Sequence, residues 1–196
     1  MIVNILLFDD FETLDVFGPV EVFGNLPYDY SLKYLSRDGG LIKSRHCVEV
    51  KTETIDGFSE DGILFIPGGY GTRPLVEDES YVNMVKDLCE RSKYCLTVCT
   101  GSALLAKTGL LKGLNATSNK LSFDWVVSVD PEVQWLAKAR WAVDGKYWTS
   151  SGVSAGIDMA LAFVEQINGR DDAEKISKFM EYIWNENKDN DPFSTK

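Results

Sequence analysis

The sequence predicts an α/β fold, a largely parallel sheet covered on both faces by helices. Three observations predict it. Short runs, "IVNILLF" (2–8), "DGILFIPGG" (61–69) and "YCLTVC" (94–99), are too short for helices and predominantly apolar, as strands buried on both faces are. Segments with helical spacing alternate with them. The dipeptide Asp144-Gly145 stands between two aromatic, β-branched runs and marks a hairpin.

Taken in order, "IVNILLF" is a buried strand that ends at the acidic turn "DDFE". "LDVFGPVEVFGNL" (14–26) follows, with Pro19 placed near a helix start and Val20, Val22 and Phe23 as its apolar residues. "YSLKYLS" (30–36) and "HCVEVKT" (46–52) alternate apolar and polar residues and are expected as strands, and "DGILFIPGG" is a strand closed by a Pro-Gly-Gly turn. "EDESYVNMVKDLCERS" (77–92) has acids in its first turn and Tyr81, Met84, Val85 and Leu88 at helical spacing. "YCLTVC" leads into "GSALLAKTGLL" (101–111), a helix stopped by Gly109. After the "RWAVDGKYWTS" hairpin (140–150) come two helices, "SAGIDMALAFVEQING" (154–169), capped by Ser154 or a neighbour and ended by Gly169, and "DDAEKISKFMEYIWNE" (171–186). Residues 1–187 make one domain, and 188–196 a polar C-terminal tail expected to fray.

A chain of 196 residues, 44% hydrophobic and 26% charged, is globular and buries roughly 70% of its unfolded surface. Its thirty acids against twenty bases, formally −10, exclude a phosphate-binding surface and with it nucleic acid. The expected partner is a small neutral substrate or a protein. "MIVNILLFDD" lacks a basic leader and its apolar run stops at Phe8, so neither a secretion signal nor a membrane span is expected, and a cytoplasmic location follows. Cys47, Cys89, Cys95 and Cys99 form no C-x-x-C, and the single His46 completes no zinc spacing; reduced thiols without a metal are expected.

Ligands of parallel sheets bind beyond the carboxyl ends of the strands. Three features sit there: Asp15 after the first strand, Gly68-Gly69-Tyr70-Gly71 after "ILFIP", and Cys99-Thr100-Gly101 after "CLTV". Cys99 is either a core filler or a reagent. A sharp strand-to-helix turn would put its thiol at a helix N-terminus, where free N–H groups and the helix dipole favour a thiolate. The Thr100 amide would then help to hold an oxyanion, with a second donor from Gly68 or Gly69. His46, at the start of a strand, is not expected to reach Cys99. Asp15 is left to move protons, or else merely caps its helix; desolvated beside Cys99, it would have a raised pKa and could donate a proton. Cys47 and Cys95 are expected in the core and Cys89 on a helix's apolar side. Tyr70 and Phe123 are candidates to wall the pocket.

Four blocks, "LLFDDFETLDVFGPVEVF", "LFIPGGYGT", "VCTGSALLAKTGLLKGLNAT" and "TSSGVSAGIDMALAFVE", together resemble the ThiJ/PfpI superfamily of class I glutamine amidotransferase-like proteins. Within it they are most similar to the isonitrile hydratase group and to the ligand domains of AraC-type regulators. The resemblance implies a flavodoxin-like three-layer sandwich, a homodimer, and a nucleophile elbow at Cys99 with Asp15 as the acid beside it and Gly69 and Thr100 as the oxyanion-binding turn. The implied activity is cofactor-free hydration of an isonitrile by Cys99. Superfamily branches acting on reactive carbonyls such as methylglyoxal or on amides, and a dimeric ligand- or redox-sensing module, are the alternatives. Thr100 stands where the protease branch has histidine, which argues against peptidase activity. The chain also departs from its likenesses after "GLL.G", reading "ATSNK" instead of "ATTHW", so that Asn119 replaces a histidine near the pocket mouth. The chain stops without room for the helix-turn-helix modules of the regulators.

Overall fold

The computed structural model describes residues 1–26 and 30–194. Strand β1 (Ile2–Leu6) enters helix α1 (Thr13–Gly24); β2 (Ser31–Ser36), β3 (Asp38–Lys43) and β4 (Glu49–Thr54) follow, then β5 (Ile63–Ile66), a short α2 (Thr72–Leu75) and α3 (Glu79–Glu90). Strand β6 (Tyr94–Val98) runs into α4 (Gly101–Lys107). The chain continues through β7 (Asn115–Ala116), α5 (Phe123–Val129), β8 (Gln134–Trp135), β9 (Trp141–Asp144) and β10 (Tyr147–Ser150) to α6 (Ala155–Asn168) and α7 (Arg170–Phe179). The main sheet has the order β3-β4-β2-β1-β5-β6-β10-β9, parallel throughout except at its two edge strands, with β7 and β8 paired separately. Helices lie on both faces of this sheet, the flavodoxin-like arrangement.

The central strands read as continuous apolar runs because both of their faces are covered: all of β5, and β1 and β6 after their first residue, are buried. Their core is tied across the sheet by aromatic edge contacts of Phe163 with Phe23, Tyr94 and Trp148. Because β1 lies between β2 and β5, the winding reverses there, and the carboxyl ends of β1 and β5 open the crevice that such a reversal creates.

Several local expectations are corrected. Pro19 does not start α1 but sits in its interior, the helix having begun at Thr13 directly after the acidic turn. Residues 38–43 pair antiparallel with β4 as an edge strand in spite of Gly39 and Gly40, whose positive φ angles of 68° and 89° a pattern of side chains cannot signal. Strand β4 begins at Glu49, which leaves Cys47 exposed in the preceding turn at φ 64°, whereas Cys89 and Cys95 are buried as expected. α7 ends at Phe179, short of the run to 186.

Nor does the tail fray within the described residues. The Lys188 carbonyl accepts from the Arg140 amide at 2.7 Å, the Asp191 amide donates to Lys138 at 2.7 Å, and Ser194 Oγ donates to Ala137 at 3.0 Å. Arg140 explains why. It is 5% exposed, donates from Nε to Asp158 Oδ2 at 2.6 Å, and lies 3.8 Å from the buried Asp191 carboxylate. A buried guanidinium needs such partners, and the chain end supplies one of them.

Candidate active site

Four neighbouring parallel strands, β1, β5, β6 and β10, deliver the loops that make the site. Phe11 bridges Gly69 and Ser44, tying the loop after β1 to the turn after β5. Cys99 follows β6 with φ 56°, a left-handed backbone that costs a residue with a Cβ about 1–3 kcal/mol. The surroundings hold it there. Its amide donates to the Ser150 carbonyl at 3.2 Å, and its carbonyl accepts from Ser102 Oγ at 3.0 Å and Ser118 Oγ at 2.8 Å. Gly68 packs directly behind: a Cβ on it would stand 2.6 Å from the Thr100 nitrogen and 2.8 Å from Cys99 Cβ. Cys99 therefore occupies a strained elbow and is 6% exposed.

Asp15, in the first turn of α1, is fully buried. It does not cap that helix. Its Oδ2 accepts from the Gly68 amide at 3.0 Å across the crevice, while Oδ1 is buried without a hydrogen-bond partner among the described residues and the carboxyl lies within electrostatic reach of the Cys99 thiol. Burial, with the nearby Glu12 charge, pushes Asp15 well above the usual carboxylate range against the pull of the Gly68 amide and the thiol. Burial and the Asp15 charge likewise push the Cys99 thiol up, and they outweigh the Thr100 amide and hydroxyl, which favour the thiolate. This corrects the expectation of an acidic, dipole-primed thiol: desolvation beside a carboxyl overrides the first turn of α4. Two acids in one dry site thus disfavour each other's negative charge.

The Gly69 amide donates to Thr100 Oγ1 at 3.0 Å, and Thr72 Oγ1 donates to the Gly69 carbonyl at 2.7 Å. In the resting site the Gly68 and Gly69 amides are thus engaged by Asp15 and by Thr100, and the Thr100 amide is the backbone donor facing the sulfur. A cavity of about 190 Å³ opens onto Cys99 and Thr100. Gly69, Tyr70 and Asn119 line it, Tyr70 with 58% of its surface exposed. Phe123 does not: its ring is buried edge-on against Trp135 at 6.3 Å. His46 is an exposed residue whose Nδ1 lies 2.9 Å from Thr13 Oγ1. Asn119 Oδ1 accepts from the Ser122 amide at 2.9 Å, and its Nδ2 lies against Gly152.

Residues 1–166 match the DJ-1/PfpI family. The chain belongs to the DJ-1/PfpI family. An isonitrile hydratase of Pseudomonas putida is 31% identical over 92% of this chain and 78% of its own length. A ThiJ/PfpI family protein from Pseudomonas syringae superposes with a TM-score of 0.84 at 28% identity, covering 99% of this chain and 77% of that one. Drosophila melanogaster DJ-1beta superposes with a TM-score of 0.78 at 18% identity, covering 93% and 98%, a likeness of fold.

In this DJ-1/PfpI chain the site includes residues that the sequence patterns did not single out. Gly152, in the loop after β10, is one: a Cβ there would stand 2.9 Å from Cys99 Sγ and against Asn119 Nδ2. Its signal was available, since a glycine directly after a strand is where backbone approaches a ligand. Gly152→Ala is expected to lower reaction at Cys99 on the order of 10²-fold while Tm moves little, checked by alkylation rate alongside thermal melting. Glu12, Arg45 and Arg73 also line the cavity but come from separate segments, Arg73 from the short α2, with no local pattern. Among the described residues no group of three or more His, Cys, Asp or Glu could hold a metal ion, and no helix is long and apolar enough to cross a membrane.

Proposed function

We propose that this protein is a cysteine-dependent enzyme that hydrates small isonitriles to N-substituted formamides. One observation carries the reading: a cysteine on a strained elbow, opening to a small cavity, has a buried carboxyl rather than an imidazole beside it. The 31% identity to an isonitrile hydratase supports the choice of reaction. At about 190 Å³ the cavity is smaller than the roughly 300–1,000 Å³ of pockets for drug-sized ligands, which suits a compact substrate.

Cys99 sulfur bonds to the terminal isonitrile carbon as Asp15 takes the thiol proton and passes it to that same carbon, leaving a thioimidate. Asp15 then accepts a proton from water as the water oxygen adds to the thioimidate carbon, and delivers that proton to the nitrogen. The hydroxyl proton of the adduct passes through Asp15 to the sulfur as it leaves. Collapse breaks the carbon–sulfur bond, releases the formamide and returns the thiol. Substrate and one water account for every atom. Asp15 is thus base and acid in turn, the role a shared, raised proton fits. The Thr100 amide steadies charge on sulfur, and Gly69 supplies a second donor when Thr100 Oγ1 releases it. The homodimer and the cytoplasmic setting belong to this reading through the family resemblance and the four free thiols.

Formamide production from short alkyl isonitriles by the purified protein tests the reading. Turnover is expected, with loss to background in Cys99→Ala. Consumption of methylglyoxal without isonitrile turnover would move the assignment to a reactive carbonyl. Clean oxygen addition at Cys99 with neither activity would move it to redox sensing, which the burial of Cys99 and its upward-pushed thiol make a poorer fit.

A further inference from the structure

Two arginines line the cavity that opens onto Cys99, in a chain whose charge is −10. They differ in what they already hold. Arg45 Nη1 donates to Glu12 Oε2 at 3.2 Å and its guanidinium lies 4.6 Å from the Tyr70 ring centre, so most of its charge is answered within the cavity wall. Arg73 has no carboxylate partner among the described residues. Its guanidinium lies over the Trp125 ring, 4.0 Å from the ring centre, and Nη2 donates to Ser122 Oγ at 3.3 Å. The ring and the hydroxyl hold the fork and leave other N–H groups to face a ligand. Ser122 is itself held: its amide donates to Asn119 Oδ1, and Asn119 lines the cavity together with Cys99. One unmatched positive charge is thereby anchored to the same short segment that borders the nucleophile.

We infer that the substrate carries a single carboxylate, received by Arg73 at the cavity mouth while its electrophilic carbon faces Cys99. This deepens the proposed function, since it presumes that Cys99 is the nucleophile, and it departs from the neutral substrate that the overall charge suggested. Arg45 with Glu12 is a neutral pair, so Arg73 is the cationic side chain of the cavity lining that remains to receive an anion. A guanidinium fork matches the two oxygens of a carboxylate, and charge-assisted hydrogen bonds of this kind are among the stronger ones. The small cavity leaves few atoms between the carboxylate and the reacting carbon.

Iodoacetate and iodoacetamide test this, because they share a leaving group and differ in one charge. Each forms a carbon–sulfur bond at Cys99, expels iodide and releases the thiol proton to Asp15 or to solvent. Rates at Cys99 are followed by peptide mass spectrometry on the intact protein, each divided by that reagent's rate with glutathione. Iodoacetate is expected to be favoured by about tenfold or more. Arg73→Gln is expected to remove that preference while leaving iodoacetamide within about twofold, Arg73→Lys to keep part of it, and added salt to weaken it. A normalised ratio near one, or a preference unchanged in Arg73→Gln, overturns the inference and leaves Cys99 as nucleophile. Failure of both reagents at Cys99 while isonitrile turnover persists overturns the nucleophile assignment, and this inference with it.

Discussion

Asp15→Asn is expected to lower isonitrile turnover by about 10²–10⁴-fold and, at the same time, to raise the melting temperature at neutral pH. Both effects come from one feature. The carboxyl is fully buried and its pKa is raised, chiefly by desolvation. A carboxyl whose folded-state pKa lies above its unfolded value binds its proton more tightly in the folded protein. The stability it contributes is complete below the unfolded carboxylate pKa and is lost as pH rises through the folded value. At neutral pH the wild-type protein therefore carries a penalty that asparagine lacks, whereas asparagine's carbonyl can still accept from the Gly68 amide. Melting curves of the two proteins should converge as pH falls below the ordinary carboxylate range and separate as it rises. The pH profile of kcat/KM should have its acid limb above that range and its basic limb above the usual thiol range, since the productive state is the one with a single shared charge.

The second large effect is on folding. Asp158→Ala is expected to destabilise the protein by about 3–5 kcal/mol, because it strands Arg140 in the interior. Asp158 Oδ1 also accepts from Tyr182 Oη at 3.0 Å and from the Asn185 amide at 2.9 Å, so the segment after α7 loses its anchor in the same step. The damage should extend to the elbow. The Arg140 carbonyl accepts from the Ser151 amide at 2.8 Å, next to the carbonyls that hold the Cys99 amide. Urea denaturation gives the loss in stability. The triple variant Arg140→Met with Asp158→Leu and Asp191→Asn should recover much of it, since the penalty lies in the unpaired charge rather than in the missing bond.

What could be read from the sequence follows from where the physics is local. Strands β1, β5 and β6 announced themselves because a strand covered on both faces must be predominantly apolar, and the features just beyond them, Asp15, Gly69 and Cys99-Thr100, lie past the carboxyl ends of those strands. The partnership of Asp15 with Gly68 was hidden because the acid reaches across 53 residues of sequence rather than back to its own helix. Strand β3 was hidden by its glycines, whose conformation answers to pairing with β4. The ordered tail answers to a buried arginine far upstream, and the two arginines of the cavity meet only in the folded chain. The thiol itself was misjudged in direction, because burial beside a carboxyl depends on packing that no motif encodes.

The account's central claim is that Cys99 and Asp15 share one proton in a dry site. The pH dependence of Cys99 alkylation by iodoacetamide, measured in the wild type and in Asp15→Asn, tests it most directly. The wild-type rate should keep climbing through and beyond the usual thiol range, and removing the carboxyl charge should bring that rise to lower pH even as isonitrile turnover collapses. An ionisation at the same pH in both proteins would mean that the carboxyl does not govern the sulfur, and would contradict the claim.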